Sequence, residues 1–191
     1  MTVKFTDKLK SIFSARNSLK ESKCNIDKDN VNKSINKEDV SVKLYKRQEG
    51  KFFYFEMWTN GPTSIFHTGE VGTVGTDFES KRDDAFIKKE IQKYLDDGYE
   101  EINEDDYKIL LVEYKIDGLG SELDLEKRHK LEDFLNNDLG WTGLGFVDGG
   151  SIGSGTMEVC CFVVDFDIAK KVIENKLQKT EFSDYSRIYE E

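Results

Sequence analysis

The chain has 191 residues, 37% hydrophobic and 12% aromatic, enough for one large or two small compact cores. No apolar run approaches the roughly 20 residues that a membrane span needs, and the N-terminus lacks the continuous apolar stretch of a secretory signal, so a cytoplasmic location is expected. The net charge of -10 is uneven: residues 1–41 carry nine Lys or Arg against six Asp or Glu, residues 42–102 nine against twelve, and residues 103–191 ten against twenty. A negative field over the later segments disfavours sequence-independent binding of phosphate backbones and suits a basic protein partner.

Residues 1–20 interleave Val3, Phe5, Leu9, Ile12 and Phe13 with Lys4, Lys8, Lys10 and Arg16. The apolar positions share a helical face barely three turns long, which predicts a short amphipathic helix that frays in solution or docks on its own protein, with weak anchoring to anionic membrane as the lesser alternative. Residues 21–41 are rich in Lys, Asn, Asp and Ser and read as a polar linker, making 1–41 a basic tail.

Residues 42–47 alternate apolar and basic side chains, and 52–58 (FFYFEMW) is an aromatic run suited to a pleated surface. Glu49-Gly50 reads as a hairpin turn between them. Asn60-Gly61-Pro62 ends the second strand, and 64–68 returns as a third. Gly69, Gly72 and Gly75 then surround Val71 and Val74, a pattern for a strand end that another backbone approaches closely. Ser80 with Asp83 predicts a capping box opening a helix through Ala85, Ile87, Ile91, Tyr94 and Leu95, capped by Gly98. The acidic residues 100–106 mark a domain boundary.

The later part reads as strand 108–116, helix 121–137 opened by a Ser121/Asp124 box and ending before Gly140, and strand 143–146. A glycine-rich connection over 148–155 leads to strand 157–164, a helix capped by Asp165 or Asp167, and strand 187–189. That order, strand, helix, strand, strand, helix, strand, predicts a ferredoxin-like split unit. The fold class expected is therefore α+β, with residues 42–102 and 103–191 as separate domains.

The run Thr68-Gly69-Glu70-Val71-Gly72-Thr73-Val74-Gly75, preceded by a hairpin and followed by a helix, resembles the WGR domain signature, Trp-Gly-Arg-Val-Gly with a further glycine. Gly69, Val71, Gly72 and Gly75 match it; Thr68 stands at the Trp position and Glu70 at the Arg position. The resemblance implies an antiparallel sheet with one helix over about 42–102 and makes these six residues the candidate partner-binding positions. In DNA-repair members the domain helps bind DNA ends, and Trp and Arg carry much of that role; with Thr and Glu instead, DNA-end binding is not expected.

Candidate chemistry is sparse. Segment 143–155 has no lysine and feeds a strand, so it is a glycine-rich hairpin and not a phosphate loop. His67 and His129 sit in no metal-ligand motif, and Cys24, Cys160 and Cys161 form no paired framework. The acids Glu113, Asp148, Glu158 and Asp165 could supply a general acid and base, but no spacing selects a pair. The expected function is a non-catalytic binding or regulatory module for a protein partner, with no cofactor and no metal. A nucleic-acid-binding module and a carboxylate hydrolase are the alternatives.

Overall fold

A computed structural model describes residues 39–191. The amphipathic segment 1–20, and the linker 21–41 up to residue 38, lie outside the described residues. Those described form an α+β fold of two four-stranded antiparallel sheets and three helices. The first sheet has the order β1 (Ser41–Gln48), β2 (Lys51–Asn60), β3 (Thr63–Glu70), β4 (Thr76–Lys81). Glu49 and Gly50, both at positive φ, close its first hairpin, as the mirror-image turns favoured by twisted strands require.

Strand β4, TDFESK, was not expected, and it displaces the predicted helix start. Ser80 pairs with Ser64 across the sheet. Asp83 is the N-cap instead, its carboxylate accepting from the amides of Ala85 and Phe86, and helix α1 runs Asp84–Asp96. An extended Ser80 cannot cap, whereas a carboxylate beside the first free amides also meets the positive helix end. Gly98 ends the helix as expected: its amide donates to Leu95 O and that of Tyr99 to Tyr94 O, with the Tyr94 and Tyr99 rings in edge contact.

The second sheet has the order β6-β7-β5-β8, from β5 (Lys108–Lys115), β6 (Gly145–Gly153), β7 (Thr156–Val163) and β8 (Arg187–Glu190). Helix α2 (Glu122–Trp141) starts at the predicted Ser121/Asp124 box and α3 (Phe166–Leu177) is capped by Asp165. Two boundaries differ from expectation. Strand β6 continues through the glycines to Gly153, absorbing Asp148 in a bulge between Val147 and Gly149, and the turn itself is only Ser154-Gly155. Helix α2 does not stop before Gly140 but passes through it to Trp141. Gly143, at φ 66°, is the terminator: its amide donates to Gly140 O and that of Leu144 to Leu139 O. Buried Leu139 and Leu144 are the apolar pair that accompanies this motif.

Alternation along β2 divides the core. Phe55 and Met57 join Val42, Leu44, Phe66, Ile87 and Ile91 under α1. Phe52 and Tyr54, on the opposite face, join Tyr45 and Val71 in one cluster with Leu110, Val112, Leu131, Leu135, Val159 and Ile173 of the later part. The larger core therefore contains residues from both sides of position 102.

The two glycines near the end of α2 predict opposite responses. A Cβ at Gly140 meets nothing, and the residue is helical, so Gly140→Ala should stabilise by roughly 0.5–1 kcal/mol. Gly143→Ala meets the Tyr54 ring at a left-handed position and should destabilise by about 2 kcal/mol or more. Denaturant midpoints of the two variants check this; a Gly143→Ala chain as stable as the parent would contradict it.

Candidate functional site

The glycine-rich segment lies where the two sheets meet. Val71 is buried in the larger core, and its amide donates to Phe52 O. The Gly72 amide donates to Thr142 O, 2.8 Å, and a Cβ on Gly72 would lie 2.7 Å from Ile168 Cγ2. A Cβ on Gly69 would lie 2.8 Å from Gly75 Cα, and one on Gly75 would strike the Thr68 carbonyl and the Tyr54 hydroxyl. Gly69, Gly75 and Gly143 thus enclose the Tyr54 ring, and the close approach anticipated from the glycine spacing has this side chain at its centre.

The Tyr54 hydroxyl is 3.0 Å from Val74 O, 2.9 Å from His67 Nε2, 3.3 Å from Thr73 O and 3.4 Å from Trp141 O. Val74 O can only accept, so the 2.6 Å contact with His67 Nε2 fixes the proton on that nitrogen. His67, 1% exposed, is a structural histidine holding the 71–75 turn. Tyr45 adds a hydrogen bond from its hydroxyl to Gly143 O, 3.0 Å.

Thr68, Gly69, Glu70 and Gly75 line an open groove of about 540 Å³ with Phe53, Tyr54, Thr73, Thr76, Tyr94 and Tyr99. Its one charged lining side chain, Glu70, pairs with Lys51 at 3.0 Å. The other cations of the first two strands are also matched: Lys43 with Glu56, Lys46 with Asp97, and Arg47 with Asp165. Exposed pairs of this kind add little stability, but they neutralise the charge a phosphate backbone would need. A second hollow, about 410 Å³, lies by the start of α2 and is lined by Lys115, Ile116, Asp117, Gly120, Ser121 and Asp124. The Asp124 carboxylate already accepts from the Ser121 amide, so that helix end presents an acid.

The second sheet supplies a larger surface. Both of its helices pack on the face carrying Leu110, Val112, Val159 and Cys161. The register aligns the opposite face in rows: Phe146–Phe162–Ile109, then Gly149–Cys160–Leu111–Tyr189, then Ser151–Glu158–Glu113–Arg187. Phe146 is 44% exposed, with rings of Phe162 at 5.6 Å and Tyr107 at 5.7 Å. Sequence reading did not find this face, because its members alternate with core residues on four strands and only register joins them.

Two of the four acids named from sequence meet here. Glu113 and Glu158 are direct cross-strand partners, a placement that would repel if uncompensated. Arg187 Nη2 lies 2.5 Å from Glu113 Oε2, while Glu158 accepts from Tyr189 Oη at 2.6 Å and Ser151 Oγ at 3.1 Å. The hydrogen bond to Glu158, then burial and charge, push the Tyr189 phenol up to about 12. Asp148 sits in the bulge of β6, and Asp165 is committed to capping α3 and to Arg47. Burial, then Asp148, Glu191 and Glu158, push the Cys160 thiol upward, away from the thiolate a nucleophile requires. Among the described residues no three His, Cys, Asp or Glu side chains form a metal-binding group, and no helix is long and apolar enough to cross a membrane.

The junction makes two measurable predictions. Tyr54→Phe removes the hydroxyl from a buried polar cluster and should cost about 1–3 kcal/mol, seen as a melting temperature lower by about 2–4 °C per kcal/mol. Burial raises the pKa of Tyr45, Tyr54 and Tyr114 above the ordinary 10.0. The unfolded chain then loses these protons first, so stability is full below about pH 10 and falls above it, by about 1.4 kcal/mol per pH unit for each tyrosine. Phenolate absorbance should rise together with unfolding; ionisation of all tyrosines in a folded chain at pH 11 would contradict this.

No protein-family model matches the chain, and searches of curated proteins and of solved structures find no match.

Proposed function

We propose that this protein is a non-catalytic binding or regulatory module that engages another protein through the open face of its second sheet. The observation that carries the reading is the helix-free face of the second sheet, where half-exposed Phe146 heads the Phe146–Phe162–Ile109 row and the acids Asp148, Glu158 and Glu191 lie around Cys160 in the adjoining row. An apolar centre with a charged border is the usual anatomy of a protein interface, and the border's sign selects a partner with basic side chains around an apolar anchor. The first sheet serves as a WGR-like scaffold: Gly69, Val71, Gly72 and Gly75 retain the spacing, with Val71 and Gly72 turned inward and Gly69 and Gly75 lining the open groove beside Thr68 and Glu70. The second half is read as ferredoxin-like on the order β6-β7-β5-β8 with two helices on one face. A reducing cytoplasm suits its free Cys160 and Cys161.

The nucleic-acid alternative is disfavoured at its own motif positions. Thr68 is too small to stack on a base or sugar, and Glu70 would repel phosphate where an Arg would pair with it. A hydrolase built on Glu113 and Glu158 is disfavoured because Arg187, Tyr189 and Ser151 occupy their lone pairs, leaving neither poised as a base.

Calorimetric titration of the full chain with a basic amphipathic peptide, an acidic counterpart and duplex DNA tests the proposal. The basic peptide should bind with micromolar affinity, weaken with salt, and lose about tenfold on Phe146→Ser combined with Asp148→Lys. Submicromolar binding to DNA ends, abolished by neutralising Lys43, Lys46 and Arg47, would replace this reading with the nucleic-acid one.

A further inference from the structure

The acidic open face has a complement within the chain. Residues 1–20 hold five cations, Lys4, Lys8, Lys10, Arg16 and Lys20, against one acid, Asp7, and interleave them with Phe5, Leu9, Ile12 and Phe13. Residues 103–191 carry ten basic against twenty acidic side chains. The sheet face combines apolar side chains of the Phe146–Phe162 row with the acids Asp148, Glu158 and Glu191 around Cys160, while buried Glu113 is matched by Arg187.

We infer that the basic segment around residues 4–16 is the resident occupant of the open face of the second sheet, lying across Phe146, Phe162 and the Glu158–Glu113 row until a partner displaces it. The inference rests on the reading of that face as a docking surface and adds its regulation. Reach permits it. The chain between Arg16 and Asp39 can span up to roughly 75 Å when extended, whereas a folded body of this size is roughly 40 Å across. Tethering then presents the segment at an effective concentration of millimolar order, so a contact too weak to hold a free peptide is still mostly closed. A second copy of the same face is a poorer occupant, since it would bring the acids around Cys160, Asp148, Glu158 and Glu191, toward a like-charged set. The consequence is an affinity filter: a partner must outcompete the segment, and its apparent affinity falls by the occupied fraction.

Cys160, in the middle row of the face, reports occupancy without any partner. In the full chain carrying Cys24→Ser, alkylation of Cys160 is followed by tandem mass spectrometry, which separates it from buried Cys161. Combined Lys4→Glu, Lys8→Glu and Lys10→Glu should speed the reaction about tenfold, and 1 M salt should speed it several-fold more in the chain with its native lysines than in the charge-reversed chain, because screening of Asp148, Glu158 and Glu191 acts on the thiol equally in both. Rates unchanged in both arms would overturn the inference, as would protection that grows with protein concentration, which would mean a second chain supplies the segment. The basic peptide of the preceding test separates the two readings. If it binds the face while Cys160 rates stay equal, only resident occupancy fails. If charge reversal frees Cys160 but the peptide still does not bind, only the docking reading fails.

Discussion

The C-terminal end of α2 is the constraint around which the two sheets are arranged. A helix leaves its last carbonyls without intrahelical donors; Leu139 O and Gly140 O are met by the amides of Leu144 and Gly143, and the next carbonyls by the first sheet and the turn that follows β3. The Gly72 amide meets Thr142 O, the Tyr45 hydroxyl meets Gly143 O, and the Tyr54 hydroxyl approaches Trp141 O. Those contacts require backbone to come against an aromatic ring, which is why Gly69, Gly75 and Gly143 surround Tyr54. The glycine pattern that resembles a WGR signature is thus used to join one sheet to the other, with His67 and the Val74 carbonyl fixing the turn that makes the approach.

Charge is handled differently in the two halves. In the first sheet Lys43, Lys46, Arg47 and Lys51 each face a carboxylate, so a segment with many cations offers little free positive field. In the second, Glu113 and Glu158 are forced together by register and held by Arg187, Tyr189 and Ser151. Arg187 matches Glu113, and the negative character of this face rests on Asp148, Glu158 and Glu191 around Cys160.

The second sheet is covered on one side only. Its helix side holds Leu110, Val112, Leu131, Leu135 and Ile173, whereas the other side keeps Phe146 half exposed beside Phe162 and Tyr107. The outer edge on β6 is blunted: a bulge interrupts it, the Asn136 side chain accepts from the Val147 amide, and Arg128 donates to Gly150 O. Such devices discourage strand addition at that edge.

Local signals were legible in the sequence wherever neighbouring residues decide the structure. The Glu49-Gly50 turn, the Ser121/Asp124 box and the Gly98 terminator all act within one turn of chain, and each is used as its chemistry dictates, while an aspartate cap was legible at 165 or 167 and the structure uses Asp165. Choices between equivalent local signals were settled by tertiary contacts: Asp83 over Ser80 because Ser80 is held in a strand, and Gly143 over Gly140 because the Tyr54 ring lies against it. Strand β4 carries no alternating apolar pattern and exists because β3 offers it an edge. The open face was out of reach for the same reason, since Phe146, Ile109, Glu113 and Glu158 become neighbours only through the pairing of distant strands. The sequence by itself determined the helices, the hairpins, the α+β class and the sign of the charge, because short-range backbone chemistry and composition suffice for these; tertiary structure alone decided which side chains share a surface, because register is a long-range property.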